Sequence, residues 1–166
     1  RYDEPVFVRM NMKDASELRT GFPKTENALY AFQTIILDDV EAGFFPRDPM
    51  ELLERFVSER GGGLLMLGGQ ESFRQGKYDR TPIGDMLPVY LDRSADATPN
   101  ARYRLALTRE GWLQPWARLC DNESDELKRI DEMPPFHTLN RIGSIKPGAT
   151  IIAHVADDSG ARKPAL

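Results

Sequence analysis

The sequence predicts an α/β fold built on a parallel strand–helix–strand unit. Three features predict it. Gln33-Thr-Ile-Ile-Leu-Asp-Asp39 is an apolar, β-branched run that ends in two carboxylates. Residues 46–60 place Leu52, Leu53, Phe56 and Val57 at helical spacing, which makes one apolar stripe. Leu64-Leu-Met-Leu67 is a second apolar run, closed by Gly68-Gly69. A continuous apolar run reads as a strand covered on both faces, as in a parallel sheet. Two such runs joined by an amphipathic helix make a βαβ crossover, which is right-handed.

The remaining elements follow in chain order. Val6-Phe-Val-Arg-Met10 is short and β-rich and predicts a strand. Residues 11–25 are polar, contain Gly21 and Pro23, and predict a loop. Thr25 caps a short helical turn over 25–32. In the main helix, Asp48 is the expected N-cap, with Pro49 at the first helical position. Gly61 to Gly63 stop it. A loop over 70–80 leads to a short helix over 81–87 and a strand over 88–92. Residues 93–101 are a polar loop. In 101–108, Tyr103, Leu105 and Leu107 alternate with Arg102, Arg104 and Ala106, the period of a half-buried antiparallel or edge strand. Short helices are predicted over 113–119 and 123–130, irregular chain at Met133-Pro-Pro-Phe-His137, and a last strand over 148–155.

Composition bounds the function. With 166 residues, 40% hydrophobic and 29% charged, the chain suits one globular domain spanning 1–166. The net charge of −4 and a pI near 5.3 argue against a nucleic-acid partner, which calls for a basic face. The one cysteine, Cys120, excludes an internal disulfide and a Cys-rich zinc site. No apolar run approaches the roughly 18–20 residues of a membrane span, and no secretory signal is visible. Because the chain starts at Arg1 and stops just after a predicted strand, an excised piece of a longer protein is expected. Membrane attachment would then run through other parts of that parent, with this chain as a soluble domain of it.

A strand followed by a glycine turn is the context of a nucleophile elbow. Leu64-Leu-Met-Leu-Gly-Gly-Gln70 resembles the Gly-x-Cys-x-Gly-x-Gln turn of class I glutamine amidotransferases, with Met66 in the cysteine's place. The resemblance extends along the chain, through Asp38, Gly61 to Met66, Gly68-Gly-Gln-Glu-Ser-Phe73 and Gly76-Lys-Tyr78. Pro82, Leu87-Pro-Val89, Leu107-Thr108, Glu110-Gly111, Pro134-Pro135 and Lys146-Pro-Gly-Ala149 continue it. This ordered set is similar to the glutamine amidotransferase-like domains of large bacterial membrane proteins, over about three quarters of the chain. The resemblance implies a flavodoxin-like, mostly parallel sheet with helices on both faces, here lacking its first strand. It implies no established activity.

The chemistry departs from the amidotransferase pattern. A cysteine amidotransferase needs a thiolate, a histidine that generates it and an acid that orients the histidine. A thioether has no ionisable proton, so Met66 cannot form the acyl-enzyme. The late His-x-Glu pair is missing, since His154 is followed by Val155-Ala156. The expected role is therefore a non-catalytic ligand-binding or interaction module, with a small molecule or a protein as partner and no cofactor.

The alternative is a hydrolase or transferase using Ser72, or the carboxylate of Glu71, with His137 near the Gly68-Gly69 turn. Against it, serines commonly cap the segment that follows, and a loop histidine more often bonds backbone. Ligand binding points to Gly68, Gly69, Gln70 and Asp38. Glycine amides at a strand-to-helix turn can cradle an anion, helped by Arg74, Lys77 and Arg80. The bland account is that the glycines serve the tight turn alone. Asp38, Asp39 and Glu41 could ligate a divalent metal, but adjacent carboxylates point to opposite sides of a strand, so no metal site is assigned. His154 is expected to be a satisfied strand histidine. Trp112 and Trp116 flank Pro115 and could form an exposed aromatic contact, although a core role is the commoner one. Open sheet edges predict self-association.

Overall fold

The parallel pair is present in the order the apolar runs predict. In a computed structural model describing residues 8–91 and 102–166, β1 (Thr34–Asp38) and β2 (Gly63–Leu67) pair in parallel, with Thr34 opposite Gly63 and Asp38 opposite Leu67. The helix α2 (Arg47–Ser58) lies between them in sequence. The chain divides into two compact units, residues 1–87 and 88–166.

The first unit holds the βαβ element. α1 (Glu26–Leu29) opens with the Thr25 hydroxyl accepting the Ala28 amide at 3.4 Å. The stripe of α2 is buried at Leu52, Leu53 and Phe56. α3 (Pro82–Met86) is capped by Thr81, whose hydroxyl oxygen accepts the Gly84 amide at 3.0 Å. Leu29, Leu37, Tyr78 and Ile83 complete this unit's core. α2 begins earlier than expected: its N-cap is Pro46, with no side-chain cap, and Asp48 falls inside the first turn. There the carboxylate meets the positive end of the helix dipole, so the residue serves the helix start by charge rather than by capping.

Two-sided burial of the parallel pair is corrected. Ile36, Leu65 and Leu67 are 59%, 39% and 39% exposed. The register puts Ile36 beside Leu65, and strand alternation sends 36, 65 and 67 to one face. The opposite face carries Leu37, which is buried, and the half-buried Ile35, Leu64 and Met66. Among the described residues this sheet has two strands, and its two faces are unequally covered. The strand expected over 6–10 is also absent where it is described: residues 8–10 are irregular. Val8 and Met10 are exposed, and the Arg9 guanidinium donates to the Ala15 and Glu17 carbonyls, both at 3.0 Å. Its first residues, 6 and 7, lie outside the described ones, as do 92–101, which hold the predicted polar loop.

The second unit is built on an antiparallel sheet ordered β3-β4-β5, from Arg104–Leu107, Ala153–Ala156 and Arg162–Pro164. β3 is antiparallel and at an edge, as the alternation of 101–108 predicts. β5 went unforeseen, since Arg162-Lys-Pro164 carries no apolar pattern. The strand expected over 88–92 shrinks to a bridge between Val89 and Ile145. The helix expected over 113–119 is instead α4 (Arg109–Trp112) and a 3-10 turn over Pro115–Ala117. Thr108 caps α4 through the Gly111 amide at 3.0 Å, and Pro115 prevents its continuation. Trp116 lies on that 3-10 turn and is 62% exposed rather than in the core. Its indole N–H donates to Gln114 Oε1 at 3.2 Å. α5 (Glu123–Glu132) is capped by Asn122, which accepts the Asp125 amide at 2.9 Å.

Candidate functional site

The carboxyl ends of β1 and β2 lie side by side, and the loops leaving them are laced together. Asp39, just past β1, has φ 50, in the left-handed region that aspartate tolerates better than most residues. Its Oδ1 accepts the Glu71 amide at 2.6 Å. The Tyr78 hydroxyl donates to the Val40 carbonyl at 2.6 Å. The Ala42 amide donates to the Gly76 carbonyl at 2.7 Å. Three hydrogen bonds thus tie the chain after β1 to the glycine turn and its following loop.

Two glycines make this lacing possible. A Cβ on Gly69 would stand 2.2 Å from Asp39 Oδ1, so the carboxylate occupies space that only glycine leaves. A Cβ on Gly76 would stand 2.0 Å from the Glu71 carbonyl oxygen, a clash with backbone that no rotamer relieves. Gly76→Ala is therefore expected to destabilise the first unit by about 2–3 kcal/mol, the size of an overpacking strain. Chemical denaturation of the two proteins measures it, and an unchanged midpoint would contradict the geometry.

Met66 is not on a strained turn. It pairs within β2 opposite Leu37, and it is not among the residues with positive φ. In the loop after β2, non-glycine residues with positive φ come later, at Phe73, Lys77 and Arg80. Among the sequence-selected residues, Gly68, Gln70, Glu71 and Asp38 are exposed, while Ser72 is 1% exposed. Asp38 ends β1, but the carboxylate that reaches the turn belongs to its neighbour, Asp39. Arg80 lines a groove of about 390 Å³ with Arg47, Glu51, Glu54, Arg55 and Asp85. Among the described residues, no group of three or more His, Cys, Asp or Glu is placed to hold a metal, and no helix is long and apolar enough to cross a membrane.

Both histidines belong to the second unit. His137 is exposed on the irregular chain after Pro134-Pro135. His154 lies on β4 opposite Ala106 and Pro164, where burial and then the Arg162 charge lower its pKa. Cys120 is half-buried. Burial and then the neighbouring Glu126 raise its thiol pKa, which disfavours the nucleophilic thiolate.

Sequence reasoning missed Glu126. It is fully buried in α5, and one carboxylate oxygen accepts the Leu119 and Cys120 amides at 3.0 and 2.9 Å. The other accepts the Arg129 guanidinium. The only trace in the sequence is a Glu–Arg pair three residues apart, which surface helices also show.

This geometry defines an α/β protein whose parallel βαβ unit ends in a glycine turn braced from the neighbouring strand. Among solved structures, the chain is similar to a cytoplasmic protein, STM3548, from Salmonella typhimurium. The match has a TM-score of 0.58 and 19% identity, over 81% of this chain and 56% of that one. The chain thus spans little more than half the length of that structure, and the likeness concerns the fold alone. No family model and no curated protein matches.

Proposed function

We propose that this chain is a glutamine amidotransferase-like domain without amidotransferase chemistry, a pseudoenzyme serving as a ligand-binding or interaction module in a larger bacterial protein. The observation that carries the reading is the state of the turn. β2 runs in regular backbone through Met66, and the Glu71 amide behind it is taken by the chain's own Asp39 carboxylate. A nucleophile elbow needs a strained residue presenting a reactive side chain, and this position offers a thioether in a strand. The parallel β1–α2–β2 order supports a flavodoxin-like, three-layer arrangement for the complete domain. A membrane-anchored parent belongs to the same reading. So do a small-molecule or protein partner and self-association through the open edges of β1 and β2.

No observation favours the alternative hydrolase. Its nucleophile, Ser72, is buried, and covalent catalysis needs that oxygen to meet a substrate.

Ammonia release from glutamine tests the reading. Neither the wild-type chain nor Met66→Cys is expected to show turnover above background, because a restored thiol still lacks a base to ionise it. Turnover that survives Met66→Ala but is lost in Ser72→Ala would overturn the reading in favour of the hydrolase.

A further inference from the structure

From a groove in the first unit, we infer a binding site for a small aromatic anion. The groove is formed by the loop before α1 and the chain leading into α2, has a volume of about 450 Å³, and is lined by Arg19, Phe22, Lys24, Phe44, Phe45 and Pro49 among others. That volume lies within the roughly 300–1,000 Å³ of small-molecule pockets. Its apolar part has a defined shape. Phe45 is buried, and Phe22 and Phe44 each meet it edge-on, with centroids at 5.2 and 5.1 Å and interplanar angles of 81° and 88°. Phe44 is nevertheless half exposed, so an aromatic surface stays open to an incoming ring.

Its charge selects the ligand. The chain as a whole is acidic, with a net charge of −4. Among the described residues, Arg19 and Lys24 are the charged ones lining this groove. Both side chains are exposed. Two exposed cations beside an aromatic floor fit a flat ring bearing a carboxylate: the ring stacks on the phenylalanines and the carboxylate meets the cations, where charge-assisted bonds are the strong ones. None of the lining residues belongs to the Gly68–Gly69 turn, so the site does not depend on the amidotransferase-like reading.

Titrating the full chain with 2-naphthoate and with its neutral counterpart 2-naphthamide, followed by amide NMR shifts, tests the site. Naphthoate is expected to give saturable shifts centred on Phe22, Phe44 and Phe45, and to bind about tenfold more tightly than the amide, the worth of one charge-assisted hydrogen bond. Arg19→Gln/Lys24→Gln changes only exposed side chains, and it is expected to remove that difference. Phe44→Ser is expected to weaken both ligands. Three results would each overturn the proposal: no saturation, equal affinity for the two ligands, or shifts centred on Ile36, Leu65 and Leu67 instead.

Discussion

Truncating Tyr78 to alanine is expected to remove about 3–5 kcal/mol of stability, the cost of deleting a large buried aromatic side chain. The ring is fully buried, and its hydroxyl donates one of the bonds that join the loops after β1 and β2. Tyr78→Phe separates the two contributions. It keeps the ring and leaves the Val40 carbonyl without its donor, which costs about 1–3 kcal/mol. The difference between the two variants is the packing share. Burial, with a smaller contribution from Glu41, pushes the phenol up to about 12. The folded value lies above the ordinary value of 10.0, so the stabilisation is complete below pH 10 and is lost as pH rises toward 12. Tyr78→Phe should therefore flatten that alkaline limb. Urea denaturation at pH 8 and across pH 9–11 measures both effects. An alanine variant within 1 kcal/mol of wild type, on the scale of a surface substitution, would show that Tyr78 does not hold the turn.

Loss of Glu126 is expected to have a comparable effect in the second unit. Glu126→Ala leaves two backbone amides and the partly buried Arg129 without their acceptor, and breaking a buried pair from one side costs about 3–5 kcal/mol. The Arg129 hydrogen bond is the largest influence holding the Glu126 pKa down, at about 2 against the ordinary 4.5; burial opposes it, and the Cys120 and Leu119 amides add to it. The folded value lies below the unfolded one, so this stabilisation is present above pH 4.5 and fades as pH falls toward 2. Glu126→Gln retains the shape, loses the charge and should remove that acid dependence. Denaturant midpoints at pH 7 and pH 3 for the three proteins test it. A wild-type chain and a Glu126→Gln variant that lose stability in parallel on acidification would refute the assignment.

The sequence discloses the first unit more fully than the second, for physical reasons. β1, α2 and β2 carry unbroken apolar runs and a clean helical stripe, signals that survive without tertiary context. Thr25 and Thr81 announce their helices through local capping chemistry. β5 is invisible in the sequence because Arg162-Lys-Pro164 joins the sheet through backbone pairing with β4, with no hydrophobic pattern of its own. The segment at 88–92 has strand composition, but its partner is the irregular chain around Ile145, so its described residues pair as an isolated bridge rather than a strand.

The candidate site divides in the same way. The glycine turn is legible because turns demand glycine. The choice of Asp39 over Asp38 is not, since it depends on a left-handed φ that only the folded loop imposes. Ser72 looked like a nucleophile or a cap, and only burial distinguishes it from one exposed to substrate. Glu126 was passed over because a buried acid and a solvated one look alike in a charged helix.

The open face of β1 and β2 also has a colloidal consequence. Ile36, Leu65 and Leu67 form one contiguous greasy spot among the exposed apolar side chains, and such spots are what solvents that strengthen burial act upon. The purified chain should salt out early in ammonium sulfate and linger on hydrophobic resins, and its light-scattering interaction parameter should turn attractive as sulfate rises. A single lysine in place of Ile36 should weaken all three behaviours together, because it puts a charge in the middle of this contiguous face.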